Sequence, residues 1–119
     1  MFRVESYILR YVQKHEGITY HLYKGRARHK TGYYVSFKDY GDIIHLSVFT
    51  GELIWNYIQD HYFILDSSSS YLGIWIDKGI VYLDISRWVK GKNDALELGK
   101  REEQKTIWDC KNKIALRVI

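Results

Sequence analysis

Hydrophobic and polar positions alternate most cleanly between Tyr71 and Ser86, on either side of a Lys78-Gly79 break. Alternation with period two marks strands, and a two-residue break containing Gly marks a tight β-hairpin. The pattern also selects a register. With Ile76 facing Val81, Ile74 faces Leu83 and Leu72 faces Ile85, so one face is wholly aliphatic. The other face then carries Trp75 beside Tyr82, Gly73 beside Asp84, and Tyr71 beside Ser86. A three-residue loop would set Leu72 against Asp84 and mix the faces, so the even connection is the one expected.

The same reasoning assigns the rest of the chain. Val4, Ile8, Tyr11 and Val12 form one stripe of an amphipathic helix from Arg3 to about His15, stopped near Gly17. Ile18, Tyr20 and Leu22 alternate with polar neighbours in a short strand, 32–37 reads as the next, and 43–48 as a further one after the turn at 39–42. Thr50 is placed to cap a helix from Gly51 to about His61, with Leu53, Ile54, Tyr57, Ile58 and His61 on one side. Asp94 followed by Glu97 has the spacing of an N-terminal cap, which predicts a helix from about Asn93 to Gln104. Gly99 inside that helix predicts a close approach to the sheet. Runs at 106–110 and 114–118 around Lys111-Asn112-Lys113 predict a second hairpin. The sum is a single α+β domain over 1–119, mainly an antiparallel sheet centred on the 71–86 hairpin with about three helices packed on it.

Composition narrows the class. With 119 residues, 46% hydrophobic and 27% charged, the chain has the balance of one globular domain. Eleven Tyr and four Trp supply large rings with polar tips, suited to a core and to a binding surface alike. A formal charge of +4 favours polyanions or acidic protein surfaces mildly. One cysteine, Cys110, leaves no internal disulfide and fits a reducing compartment. No apolar run approaches the ~20 residues of a membrane span, so a soluble cytoplasmic protein without a membrane partner is expected.

Chemistry-bearing motifs are sparse. His15, His21, His29, His45 and His61 are scattered, with no H-x-H, H-E-x-x-H or C-x-x-C spacing, so neither metal nor cofactor is expected. His61 reads as a hydrogen-bonded core residue, and Cys110, in an alternating strand, as a small buried hydrophobe. Asp84 with Ser86 on the aromatic hairpin face could serve as a proton acceptor and a hydrogen bonder, or Asp84 could merely anchor the neighbouring backbone or a Tyr hydroxyl. The sharpest charge feature is Lys24, Arg26, Arg28, His29 and Lys30, a loop without acid, beside Tyr20, Tyr23, Tyr33 and Tyr34. Cations that follow a phosphate backbone while rings stack on bases suit single-stranded nucleic acid. An acidic protein surface or plain solvation would use the same charges.

The run Tyr71-Leu-Gly-Ile-Trp-Ile-Asp77, then Val81-Tyr-Leu-Asp-Ile-Ser86, Ala95-Leu96, Gln104 and Ile107-Trp-Asp109 resembles a pattern recurring in small proteins of bacteriophages and mobile elements. Thr31-Gly-Tyr-Tyr-Val-Ser36 resembles the segment that precedes it there. The likeness spans roughly residues 31–110 and departs at Glu103, where the pattern carries Asn. It implies a protein of an infected bacterial host's cytoplasm, and brings no catalytic residue with it. The function implied is stoichiometric, non-catalytic inhibition of a bacterial defence system in the manner of anti-CRISPR proteins, with a host defence protein or nuclease complex as partner. Expected contact residues are Lys24, Arg26, Arg28, His29 and Lys30, with Tyr33, Tyr34, Tyr71, Trp75 and Tyr82. Two alternatives stand beside it: a single-stranded nucleic-acid-binding protein using the same loop and rings, and a small nucleotide-acting enzyme of ADP-ribosyltransferase type using Tyr34, Ser36 and Asp84.

Overall fold

A computed structural model describes residues 3–118. Helix α1, Val4–His15, buries Ile8 and Val12 on the expected stripe. Its stop is Glu16, in the left-handed conformation with φ 65°, whose N–H bonds the Val12 carbonyl; Gly17, expected to end the helix, opens the next strand. The strands β1 (Gly17–His21), β2 (Gly25–Arg26), β3 (Tyr33–Ser36) and β4 (Asp42–His45) follow. A single 3₁₀ turn at Leu46–Val48 replaces the end of the strand expected over 43–48. Helices α2 (Gly51–Asp60) and α3 (Tyr62–Leu65) lead to β5 (Ser70–Asp77) and β6 (Ile80–Val89), and α4 (Lys92–Arg101) to β7 (Thr106–Asp109) and β8 (Ile114–Arg117). Thr50 caps α2 by accepting from the Leu53 N–H at 3.3 Å. At α4 the cap is different from expectation. Gly91 occupies the position and neither Asp94 nor any other side chain bonds there.

The eight described strands make one antiparallel sheet, seven of them in the order β2-β1-β5-β6-β3-β7-β8 and β4 paired to β6 off this path. The long strand β6 pairs with the whole of β5 from Ile80 to Arg87, and its other edge is divided. Ile80–Leu83 pair with β4, and Ser86–Val89 with β3. The central register is Leu72↔Ile85, Ile74↔Leu83 and Ile76↔Val81, as the alternation requires. Five of these six are essentially excluded from water, Ile76 being half-buried. Each such side chain is worth about 1.5–3 kcal/mol when buried. A one-residue slip would expose all of them, a loss comparable with the whole ~5–15 kcal/mol stability of a domain.

All four helices lie on that aliphatic face. Helices α1, α2 and α3 cover Ile18, Leu72, Ile74, Val81, Leu83 and Ile85. Helix α4 covers Val35 on β3 and Ile107 on β7 with Ala95 and Leu98. Gly99 lies in this contact, where a Cβ would meet Ile107 Cγ2 at 2.9 Å and Val118 Cγ2 at 3.0 Å. Short α3, one turn beyond the α2 pattern, has no signal in the sequence that separates it from the preceding helix. It buries Leu65 against the core.

The hairpin turn carries Lys78 at φ 50° and Gly79 at φ 78°, the two left-handed residues that match the twist of paired strands. Nothing lies within 4 Å of a Cβ built on Gly79, so a side chain there is opposed by backbone conformation alone. Gly79→Ala is expected to cost about 1–2 kcal/mol in urea unfolding. Gly79→Asn should recover most of that loss, since Asn tolerates this region; equal losses for both would point to a contact at the turn instead.

Candidate functional site

Because helices occupy one face, the residues between the aliphatic positions form a face that no helix covers. Its centre is built from small side chains. Gly73 on β5 lies opposite Asp84 on β6 and beside Thr19 on β1, while Ser36 on β3 pairs with Ser86 on β6. Large rings stand around this floor. Trp75 and Tyr82 stack at 5.4 Å with 13° between their planes, and Tyr34 on β3 is paired with Trp108 on β7. The result is a groove of about 1040 Å³ crossing the sheet, bordered by Ile43 and by the chain at 37–42 where it leaves β3 for β4. Trp75 and Trp108 remain 41% and 44% exposed, enough to offer ring faces to an occupant.

Asp84 is the group on this floor that the environment perturbs most. Loss of hydration pushes its carboxyl up to about 6, partly opposed by the Ser36 hydroxyl, which donates to Oδ2 at 2.5 Å. The other carboxylate oxygen occupies the space above Gly73, where any Cβ would run into it. Glycine at position 73 is therefore needed for this carboxylate position. The chain departing past Phe37 is tied down beside the groove by Lys38, whose ammonium pairs with Glu103 at 2.8 Å and whose backbone N–H bonds Glu102. Glu103 is thus used on the surface. Exposed as this pair is, it contributes little to stability.

The basic segment takes a different place from a free loop. Gly25 and Arg26 pair with His21 and Tyr20 as a two-residue strand. His21 is buried: its Nδ1 accepts from the N–H groups of Tyr23 and Lys24, and its Nε2 donates to the Ser68 carbonyl. The following residues cross the open face at its far end. His29 stacks on Trp88 at 4.5 Å and 17°, meets Tyr34 and Tyr71 edge-on, and shares a 2.5 Å hydrogen bond with the Tyr34 hydroxyl. Burial and nearby Lys24 lower the His29 pKa, while burial raises that of Tyr34. Trp88 Nε1–H donates to the Thr31 carbonyl and closes the clasp.

Of the ten residues singled out in the sequence, Lys24, Arg28 and Lys30 are exposed cations on or beside this crossing segment. Arg26 is committed differently. Its guanidinium lies 4.6 Å over the Tyr11 ring, and its Nε is buried with no hydrogen-bond partner among the described residues. His29 and Tyr34 belong to the clasp, and Tyr71 is buried beneath it at 6% exposure. Tyr33 packs toward α4. Trp75 and Tyr82 border the groove. Sequence reasoning left out Trp108 and the pairing of Ser36 with Asp84. Alternation in 106–109 could have flagged Trp108 as facing away from Ile107, but nothing local places β7 next to β3.

Elsewhere, His61 is half-buried and its Nδ1 donates to the Tyr57 carbonyl at 2.8 Å. Burial pushes the Cys110 thiol up to about 11, which keeps it protonated and unreactive at neutral pH. Among the described residues no group of three or more His, Cys, Asp or Glu side chains is placed to hold a metal, and no helix is long and apolar enough to cross a membrane. No family model matches the sequence, and no curated protein or solved structure matches it either.

Asp84 makes a pH-dependent contribution whose sign is fixed by its raised pKa. The folded protein holds this proton more tightly than the unfolded chain, so stability falls as pH rises from about 4 to about 6 and stays lower above that window. Asp84→Asn is therefore expected to stabilise the fold by on the order of 2 kcal/mol at pH 8 and by little at pH 4. Thermal or urea unfolding of both proteins across that range checks it. A constant difference between them would mean that the carboxylate is well solvated.

Proposed function

We propose that this chain is a non-catalytic binding protein that takes single-stranded nucleic acid onto the open face of its sheet. The observation that carries the reading is one-sided coverage: helices on the aliphatic face, and on the other a groove bordered by exposed Trp75 and Trp108. Four ring-bearing strands, β5, β6, β3 and β7, lie side by side, three strand spacings or about 14 Å from first to last. That width suits more than one base. Rings supply stacking that tolerates any base, and cations supply the attraction for phosphate.

Arg26 and Lys38 line the groove, Lys24, Arg28 and Lys30 are exposed on the segment that carries His29, and the chain has a formal charge of +4. In the phage or mobile-element setting suggested by the resemblance, binding of this kind inhibits stoichiometrically. It occupies the nucleic acid that a host defence nuclease must reach.

Fluorescence anisotropy with labelled single-stranded hexanucleotides tests this. Trp75→Ala and Trp108→Ala are each expected to weaken binding by about 1–3 kcal/mol while the melting temperature stays close to that of the parent. Charge reversal of Arg28 and Lys30 together should reduce the dependence of affinity on salt, because fewer counterions are released. Absence of binding at low salt, or affinity indifferent to both tryptophans, would remove nucleic acid from the account. Affinity capture from host lysate with and without nuclease then separates a nucleic-acid partner from a protein one.

A further inference from the structure

The groove floor holds more than rings. Midway along it, Asp84 offers a carboxylate in a depression made by Gly73, Thr19, Ser36 and Ser86, two residues along the strand from the Trp75–Tyr82 stack. Tyr82 and Asp84 are two residues apart on one strand and on one face, so about 7 Å separates their α-carbons. A base that extends the Trp75–Tyr82 stack would lay its edge over this carboxylate. We propose that Asp84, positioned by Ser36, selects an unpaired guanine from the strand that occupies the groove. This rests on the reading of the open face as a nucleic-acid surface.

The chemistry discriminates among the bases. An ionised carboxylate only accepts hydrogen bonds, through two oxygens side by side. Guanine presents two neighbouring donors, N1–H and the N2 amino group, on its pairing edge. Uracil and thymine present one donor between two carbonyl oxygens, which the carboxylate repels. Cytosine and adenine present an amino group beside a ring nitrogen acceptor, so only one of the two carboxylate oxygens is satisfied. Ser36 donates to Oδ2 and fixes the plane of the carboxylate, and the absence of a Cβ at Gly73 leaves space for Oδ1. Complementary charge extends past the base. The acid sits at the floor, where a base edge arrives, and the groove is also lined by Arg26 and Lys38, while Lys24, Arg28 and Lys30 are exposed cations on the segment that carries His29.

The cost of keeping Asp84 here adds support. A carboxyl whose ionisation is opposed by its surroundings weakens the fold at neutral pH, and the favoured structural alternative, an amide of the same shape, would not. A ligand that donates two hydrogen bonds would offset that cost in the complex.

Anisotropy with labelled UUUUUU, UUGUUU, UUCUUU and UUAUUU tests the assignment directly. The guanine strand is expected to bind about tenfold more tightly than the uracil strand, in line with a bidentate base contact. Inosine at the same position, which lacks the N2 amino group, should lose much of that gain. Asp84→Asn should bring the guanine-to-uracil affinity ratio close to one, and Ser36→Ala should reduce it; circular dichroism melts confirm that both variants remain folded. Equal affinity for all four strands, or preference for cytosine or adenine, overturns the assignment while leaving the nucleic-acid reading in place. Free GMP that displaces the strand at equal concentration also overturns it, because the occupant would then be a mononucleotide. No binding of any strand at low salt defeats both.

Discussion

The β5–β6 register is the constraint from which everything else follows. Because side chains alternate from face to face, aligning Leu72, Ile74 and Ile76 with Ile85, Leu83 and Val81 places six aliphatics against the helices and decides what the opposite face must contain. Trp75, Tyr82, Asp84 and Gly73 have no freedom to choose their side. The groove is a consequence of the core, and its composition is where the sequence departs from what a simple two-layer protein needs. A face in contact with water only would be better served by Thr, Lys and Glu than by two tryptophans and a half-hidden carboxylate.

The division of the β6 outer edge supplies the groove's depth. Strand β4 pairs with residues up to Leu83 and β3 from Ser86 onward, so the chain between Phe37 and Gly41 has to leave and re-enter the sheet beside Asp84. The Phe37 N–H bonds the Ile85 carbonyl, which holds the exit point against β6. Asp84 thus sits where the sheet changes partner, partly shielded by the departing backbone but not enclosed by it. Shielding raises its pKa, and incomplete enclosure leaves it reachable. These two conditions together distinguish Asp84 from a buried structural acid such as Asp109. That carboxylate is fully used by the Asn112 side chain and the N–H groups of Lys111 and Asn112.

Much of the fold was legible because its strongest signals are local. Period-two alternation gave the hairpin, Lys78-Gly79 its turn, and the Ile8–Val12 spacing the first helix. Thr50 gave a cap that forms, whereas Asp94 had the spacing of a cap and makes none, Gly91 standing at that position. Sites were less legible for a physical reason. Whether Tyr71 is exposed depends on where residues 27–32 pass, and that is decided by a stack between His29 and Trp88, 59 positions apart in the chain. Ser36 meets Asp84 across a strand pairing with no trace in either local sequence. Arg26 reads as one more cation in a basic run, yet its guanidinium is taken up by Tyr11 of the first helix.

The clasp also explains how charge and aromatic surface divide their work. His29 has its pKa lowered by burial and by Lys24, so it serves near neutral pH as an uncharged ring that fastens the segment to Trp88 and Tyr34. Its neighbours Arg28 and Lys30 stay in water, where an ion pair is worth little and salt screens it within roughly 8–10 Å. On the proposed reading, charges so placed would guide an anionic strand toward the groove without holding it firmly. Ring stacking and the Asp84 carboxylate, both on rigid strands and both partly dehydrated before any ligand arrives, are positioned to set how long it stays. On that proposed reading, the exposed cations would act chiefly on the rate of association and the sheet on the rate of release.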